Sequence, residues 1–179
     1  MGPPGHFGIA FAAKPAAQKA PLWVFLLASW ILDLLSFGFE AVGLETFGVS
    51  ETTLEQGVNV IIPGSVPYSH GLLMSIVWSI IFGLVTFLVY RDRKTSLILG
   101  SVVFSHWVLD LIVHPPDLPL LFEGSPKLGL GLWNSGAGMI ISIVLELTLL
   151  VGGITFYIVW RKRENIKAKS DNQHIEEEK

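Results

Sequence analysis

Four stretches of this chain are long and apolar enough to cross a lipid bilayer, and they decide the class of fold. They run from Leu22 to Phe39, from Gly71 to Tyr90, from Thr95 to Val113 and from Gly136 to Trp160. About 20 apolar residues suffice for a helix to traverse the hydrocarbon. Hydrocarbon offers a backbone no hydrogen-bond partner, so a spanning segment is a helix or part of a closed barrel. Nothing here resembles a barrel. Composition agrees: hydrophobic residues make up 51% of the 179 and charged residues 15%, against about 25% charged in a typical soluble domain. The expectation is an all-α membrane protein with about four transmembrane helices, forming one polytopic domain over residues 1–163. Residues 164–179, rich in charge, are expected to begin as helix and fray into a disordered cytoplasmic tail. The net charge is only −3 and there is no basic face. The bilayer, not a nucleic acid, is the partner that the composition implies.

The segment before the first span adds one element. The stretch from His6 to Ala13 is apolar but too short to span. It reads as a half-membrane helix ending at Lys14-Pro15, since proline lacks a backbone donor and restricts the residue before it. No basic residue precedes this stretch, so it is a poor signal peptide and is expected to remain.

Basic residues give the orientation. Lys14 and Lys19 precede the first span; Arg91, Arg93 and Lys94 separate the second and third; Arg161, Lys162 and Arg163 follow the fourth. With four spans, all three groups fall on one side, expected to be cytoplasmic. The opposite loops hold Glu40, Glu45, Glu51 and Glu55, then Asp117, Glu123 and Lys127. The segments 40–69 and 114–133 are expected to be ordered caps at that end.

Several spans carry ionisable groups, each of which costs roughly 2.5–3.5 kcal/mol inside a membrane on the insertion scale. Asp33 lies in the first span, His70 at the start of the second, His106 and Asp110 in the third, Glu146 in the fourth. His106, Asp110 and His114 are spaced i, i+4, i+8 and so share one helix stripe. That spacing lets an imidazole and a carboxylate grip one ion. The plain alternative is a His–Asp hydrogen bond that joins two helices. His114, beside Pro115-Pro116, reads more simply as a helix end. At 1.5 Å per residue, His106 sits about 18 Å and Asp110 about 24 Å above the basic side, Asp33 about 17 Å, and His70 about 31 Å. The half-helix would lift His6 about 12 Å. Tilt would bring these groups to a common layer. Glu146, about 22 Å above Arg161, could be a ligand, a general base or a partner for a histidine. Asn134 and Ser135 read as a helix cap. With no cysteine in the chain, any metal must be held by His and carboxylate.

The ordered set Gly5-His6, Asp33, Ser69-His70 and Ser105-His106-x-x-x-Asp110 resembles the YdjM-like family of membrane-bound metal-dependent hydrolases. That family has an N-terminal Gly-His, an Asp near the end of its first span, a Thr-His-Ser segment opening a later span, and a Ser-His-x-x-x-Asp helix. The resemblance covers His6 to Asp110. The family's Asp-rich stretch is reduced here to Asp33, and its Arg-x-x-Thr-His-Ser to Pro67-Tyr68-Ser69-His70-Gly71, which favours one metal over two. The segments 116–119 and 129–134 look like a distinct branch of small bacterial membrane proteins. The resemblance implies metal ligation by His6, Asp33, His70, His106 and Asp110, and a bacterial inner-membrane location.

The leading expectation is therefore a hydrolase of the membrane that uses a divalent metal, zinc first, since imidazole with carboxylate suits it. Glu146 is the expected general base or supporting partner of the site. A site in the outer half of the bilayer suits a lipid-linked ester or phosphoester. Two alternatives stand beside it: an ion or proton path through the same cluster, and a structural protein whose polar residues merely join helices.

Overall fold

A computed structural model describes residues 2–49 and 61–177; the expectations for Glu51 and Glu55 lie outside the described residues. The chain is predominantly helical. A short helix α1 (Pro3–Ala13) passes through a 3-10 turn (Lys14–Ala16) to α2 (Leu22–Ala41), followed by α3 (Leu72–Tyr90), α4 (Arg93–Val113) and α5 (Gly136–Glu177). The four long helices α2 to α5 are each long and apolar enough to cross a membrane. Helix α1 opens with proline at its first turn, where the missing N–H costs nothing.

The expected spans and the observed helices agree within a few residues, except at the C-terminus. There the charged tail, expected to begin as helix and then fray, continues α5 as helix to Glu177.

The half-helix is the centre of the packing. Helix α1 lies among α2, α4 and α5, and is the main surface on which α5 rests. Their backbones nearly touch: a Cβ on Gly8 would fall 2.3 Å from the Leu149 carbonyl oxygen, and one on Gly153 would fall 2.1 Å from that of Gly8. Small residues of this kind let membrane helices approach closely where hydrophobic driving force is absent. Below the polar cluster, Ala10, Val24, Phe25, Ala28, Leu32, Leu99, Val102, Val103 and Trp107 make a dry core joining α1, α2 and α4.

Helices α3 and α4 form a tight hairpin. Arg91 ends α3 in the left-handed conformation, φ 51°, and Asp92 caps α4 by accepting the Thr95 N–H at 2.9 Å. Gly83 and Gly100 face each other across the seam. The buried hydroxyls of Ser79 and Thr86 donate to the carbonyls of Ser75 and Phe82 in their own helix, so each is satisfied without water.

The three basic groups meet at one end. Lys19 Nζ is 3.0 Å from Asp92 Oδ1, and Lys14 Nζ lies over the Trp160 ring at 5.4 Å and the Phe25 ring at 5.9 Å. Burial pushes the Lys14 ammonium below its ordinary pKa. The opposite end carries two small antiparallel sheets. Strand β1 (Thr46–Val49) pairs with β2 (Ile61–Ser65), and β3 (Leu118–Pro119) with β4 (Lys127–Leu128). Ser135 begins α5 by accepting the Gly138 N–H at 3.0 Å, which is the cap expected from the sequence.

Candidate metal centre

All five expected ligands converge. His106 and Asp110 are one turn apart on α4 and both are buried. Asp33 comes from α2. His6 comes from α1. His70 is not on a helix: it closes the turn before α3, its N–H bonded to the Val66 carbonyl at 3.0 Å. From that turn the side chain reaches the other ligands.

Four atoms define the centre: Nε2 of His70, Nε2 of His106, Oδ1 of Asp33 and Oδ2 of Asp110. His70 to His106 is 3.2 Å, His70 to Asp33 3.3 Å and His70 to Asp110 3.5 Å. His106 to Asp33 is 3.4 Å and to Asp110 3.2 Å. These are five edges of a tetrahedron. A regular tetrahedral site with zinc–ligand bonds of about 2.0–2.1 Å has edges of about 3.3–3.4 Å. The donor set fits a divalent metal in size and in chemistry.

Protonation makes the fit sharper. His106 Nδ1 faces the Ser29 carbonyl oxygen at 2.8 Å. A carbonyl only accepts, so Nδ1 carries a hydrogen and Nε2 is the nitrogen turned to the cluster, free to bind a metal whenever the ring is neutral. His70 Nδ1 faces Ser69 Oγ at 2.8 Å. That hydroxyl donates its one hydrogen to Glu45 Oε2 at 2.7 Å, so it accepts from His70 Nδ1, and Nε2 is again the nitrogen turned to the cluster. Two imidazole nitrogens, whose partners on the far side hold each Nδ1, and two carboxylate oxygens thus converge on one point. A single proton could bridge only two of the four. A divalent cation satisfies all of them, and outer partners that fix ring orientation in this way typify metal-bound histidines.

His6 completes the cluster from the N-terminal side. Its Nε2 is 3.4 Å from the other Asp110 oxygen, Oδ1. His6, Asp33 and His106 also present ligand atoms within 4.8 Å of one another, as do His70, His106 and Asp110. The two triads share His106, so they belong to one centre. Of the four tetrahedral donors, Asp33 alone keeps appreciable exposure, 24% against 4% or less for the rest. The centre opens on that side.

Glu146 is in neither triad. Its Oε1 accepts the Gly2 N–H at 2.7 Å, which places a negative charge at the start of α1, where the helix dipole favours it. His114 pairs with Asp117 at 3.2 Å and packs against Trp133, centroid to centroid 4.6 Å.

Residues that the sequence reading did not single out hold the cluster from behind. Glu45 is 2% exposed. It accepts the N–H groups of Tyr68 and Ser69, each at 2.8 Å, and the hydroxyls of Ser36 at 3.0 Å and Ser69 at 2.7 Å. The Ser29 carbonyl does the same service for His106.

The chain matches no family model, no curated protein and no solved structure.

Proposed function

We propose that the protein is a metal-dependent hydrolase embedded in the bacterial inner membrane, with zinc held by His70, His106, Asp33 and Asp110 and a lipid-linked ester or phosphoester as substrate. The observation that carries the reading is the near-tetrahedral spacing, 3.2–3.5 Å, of two imidazole nitrogens and two carboxylate oxygens drawn from three separate parts of the chain. A divalent ion in such a place supplies Lewis acidity and lowers the pKa of water that it binds. The chain's own residues supply the rest. Asp33, on the open side, is where a water or a substrate oxygen reaches the centre. His6 holds the second oxygen of Asp110 and so fixes how that carboxylate turns. Glu146 acts as a positioning residue: it secures the start of α1, which carries His6. The order Gly5-His6, Asp33, Ser69-His70, Ser105-His106 and Asp110 supports kinship with the YdjM-like hydrolases. The basic end, with α5 leaving it, is assigned to the cytoplasm by the positive-inside rule.

The test is elemental analysis of detergent-purified protein, beside hydrolysis of phosphate and carboxylate esters presented in lipid vesicles. Wild type should hold one zinc per chain and turn over one of these esters. His106→Ala should lose both. A wild type that holds metal yet hydrolyses nothing would favour the second reading, an ion carrier. One feature bears on the choice: with four protein donors the tetrahedron is closed, as in structural zinc sites, so hydrolysis needs Asp33, on the open side, to yield its corner to water, a step that the carrier does not need. Metal flux into sealed vesicles without ester turnover would decide for it.

A further inference from the structure

The four bonds that Glu45 accepts do more than hold two segments together. They fix the direction of a hydrogen-bond chain that ends at the metal centre. Oε1 takes the N–H groups of Tyr68 and Ser69; Oε2 takes the hydroxyls of Ser36 and Ser69. A carboxylate so engaged offers no hydrogen to Ser69. The Ser69 hydroxyl must therefore point at Glu45, and its lone pair at His70 Nδ1. The hydrogen of the imidazole is drawn to Nδ1, away from the cluster.

We propose that Glu45 is the positioning residue that sets the tautomer of His70, and thereby how tightly the centre holds a metal. The inference rests on the metal reading above for its consequence, but the tautomer itself is a property of the metal-free protein. Replacing the carboxylate by an amide reverses the chain. In Glu45→Gln the amide oxygen can still take the two backbone N–H groups, while the amide NH2 meets Ser36 and Ser69 as a donor. The Ser69 hydroxyl then turns toward His70 and donates to Nδ1. The ring hydrogen moves to Nε2, where the carboxylates of Asp33 and Asp110 lie 3.3 and 3.5 Å away. The variant gains an internal hydrogen bond at the centre and loses a ligand lone pair. A residue of purely structural importance would not do this: its loss would weaken fold and metal together.

The experiment uses the full chain in detergent, with 15N-labelled histidine, as wild type, Glu45→Gln and Ser69→Ala. Nitrogen chemical shifts of the metal-free proteins report which ring nitrogen of His70 carries the hydrogen. Zinc affinity is read by competition with a chelator, and the cobalt-substituted protein gives the visible absorption of the site. In wild type, His70 should be the Nδ1–H tautomer. In Glu45→Gln it should be Nε2–H, with zinc affinity lowered 10–100-fold, the scale of outer-partner losses. The cobalt bands should shift, and the melting temperature of the metal-free protein should not fall. Ser69→Ala keeps both backbone bonds to Glu45 and protects the fold; it should leave His70 a mixture of tautomers, with an intermediate affinity. Should Glu45→Gln fail to fold, the Ser69→Ala spectrum carries the test alone. A His70 that stays Nδ1–H in the variants obtained would overturn the proposal. A wild type that binds neither zinc nor cobalt would instead remove the metal reading, while the tautomer result would still stand or fall by itself.

Discussion

His6 lies flat against His106, the two rings 3.8 Å apart between centroids and 5° from parallel. The stack joins the N-terminal half-helix to the most buried span, and it leaves both Nε2 atoms pointing at one carboxylate. His106 reaches Oδ2 of Asp110 at 3.2 Å and His6 reaches Oδ1 at 3.4 Å. Asp110 is therefore clamped from two sides by groups that are 100 residues apart in the chain. A short apolar stretch that cannot span the bilayer is thus part of the centre.

The clamp distinguishes the two histidines. His106→Ala removes a corner of the tetrahedron and should abolish metal binding. His6→Ala removes the hold on the second Asp110 oxygen and the stack against His106, but no corner of the tetrahedron. It should keep one metal per chain with affinity reduced about 10–100-fold, as for other outer partners of metal ligands. Metal content after dialysis against graded chelator measures both. Equal loss in the two variants would make His6 a ligand of the same rank.

Glycine at the crossing of α1 and α5 should matter to the centre although it touches none of its atoms. A Cβ at residue 153 would meet the Gly8 carbonyl, while one at residue 152 would meet nothing within 4 Å. Gly153→Ala should push α1 outward, cost about 1–3 kcal/mol as overpacking does, and weaken metal binding by displacing His6. Gly152→Ala should be neutral or slightly stabilising, since alanine favours a helix by up to about 1 kcal/mol over glycine. Thermal unfolding in detergent and chelator competition on the adjacent pair read both effects.

Much of this fold was legible because a bilayer punishes exceptions. Charges at Asp33, His106, Asp110 and Glu146 stand out only because their neighbours are apolar. The spans announce themselves by length. Glu45 was not legible in the same way. It lies in a polar segment with Glu40, Glu51 and Glu55, and nothing in the sequence ranks one above the others. Only the folded chain shows that Glu45 returns to Ser36 and Ser69. The Ser29 contribution is a backbone carbonyl and has no sequence signature at all. Glu146 was visible as an intramembrane acid, but its partner is the backbone N–H of Gly2, so no side-chain pattern could have named it.

Acid should loosen the basic end of the bundle through Asp92. Hydrogen bonds from the Thr95 hydroxyl, from Lys19 and from the Thr95 N–H hold its carboxyl well below the usual carboxylate range. A folded-state pKa below the unfolded value of about 3.9 means stabilisation that is full above that pH. It is lost progressively as pH falls toward the folded value. The difference in melting temperature between wild type and Asp92→Asn should therefore be constant from neutral pH to about pH 5 and shrink below about pH 4. Melting curves on the two proteins across that range test it; a difference that grows on acidification would contradict the assigned sign.

The absence of native cysteine makes the orientation directly measurable, because any thiol introduced is the sole one in the chain. The Lys19–Asp92 contact at 3.0 Å and the Lys14–Trp160 contact at 5.4 Å put three basic segments at one end. Ser125 lies in the opposite cap, where its backbone N–H meets the Phe122 carbonyl at 3.0 Å. In intact cells, Ser125→Cys should react with a membrane-impermeant maleimide, whereas Lys94→Cys and Lys162→Cys should react only after the membrane is opened. Labelling of all three from outside would mean that the basic groups do not share a side. The depth assigned to the His/Asp centre would then have to be counted from another reference. Labelling of the two basic positions alone would invert the molecule, and place the exposed edge of Asp33 toward the cytoplasmic leaflet.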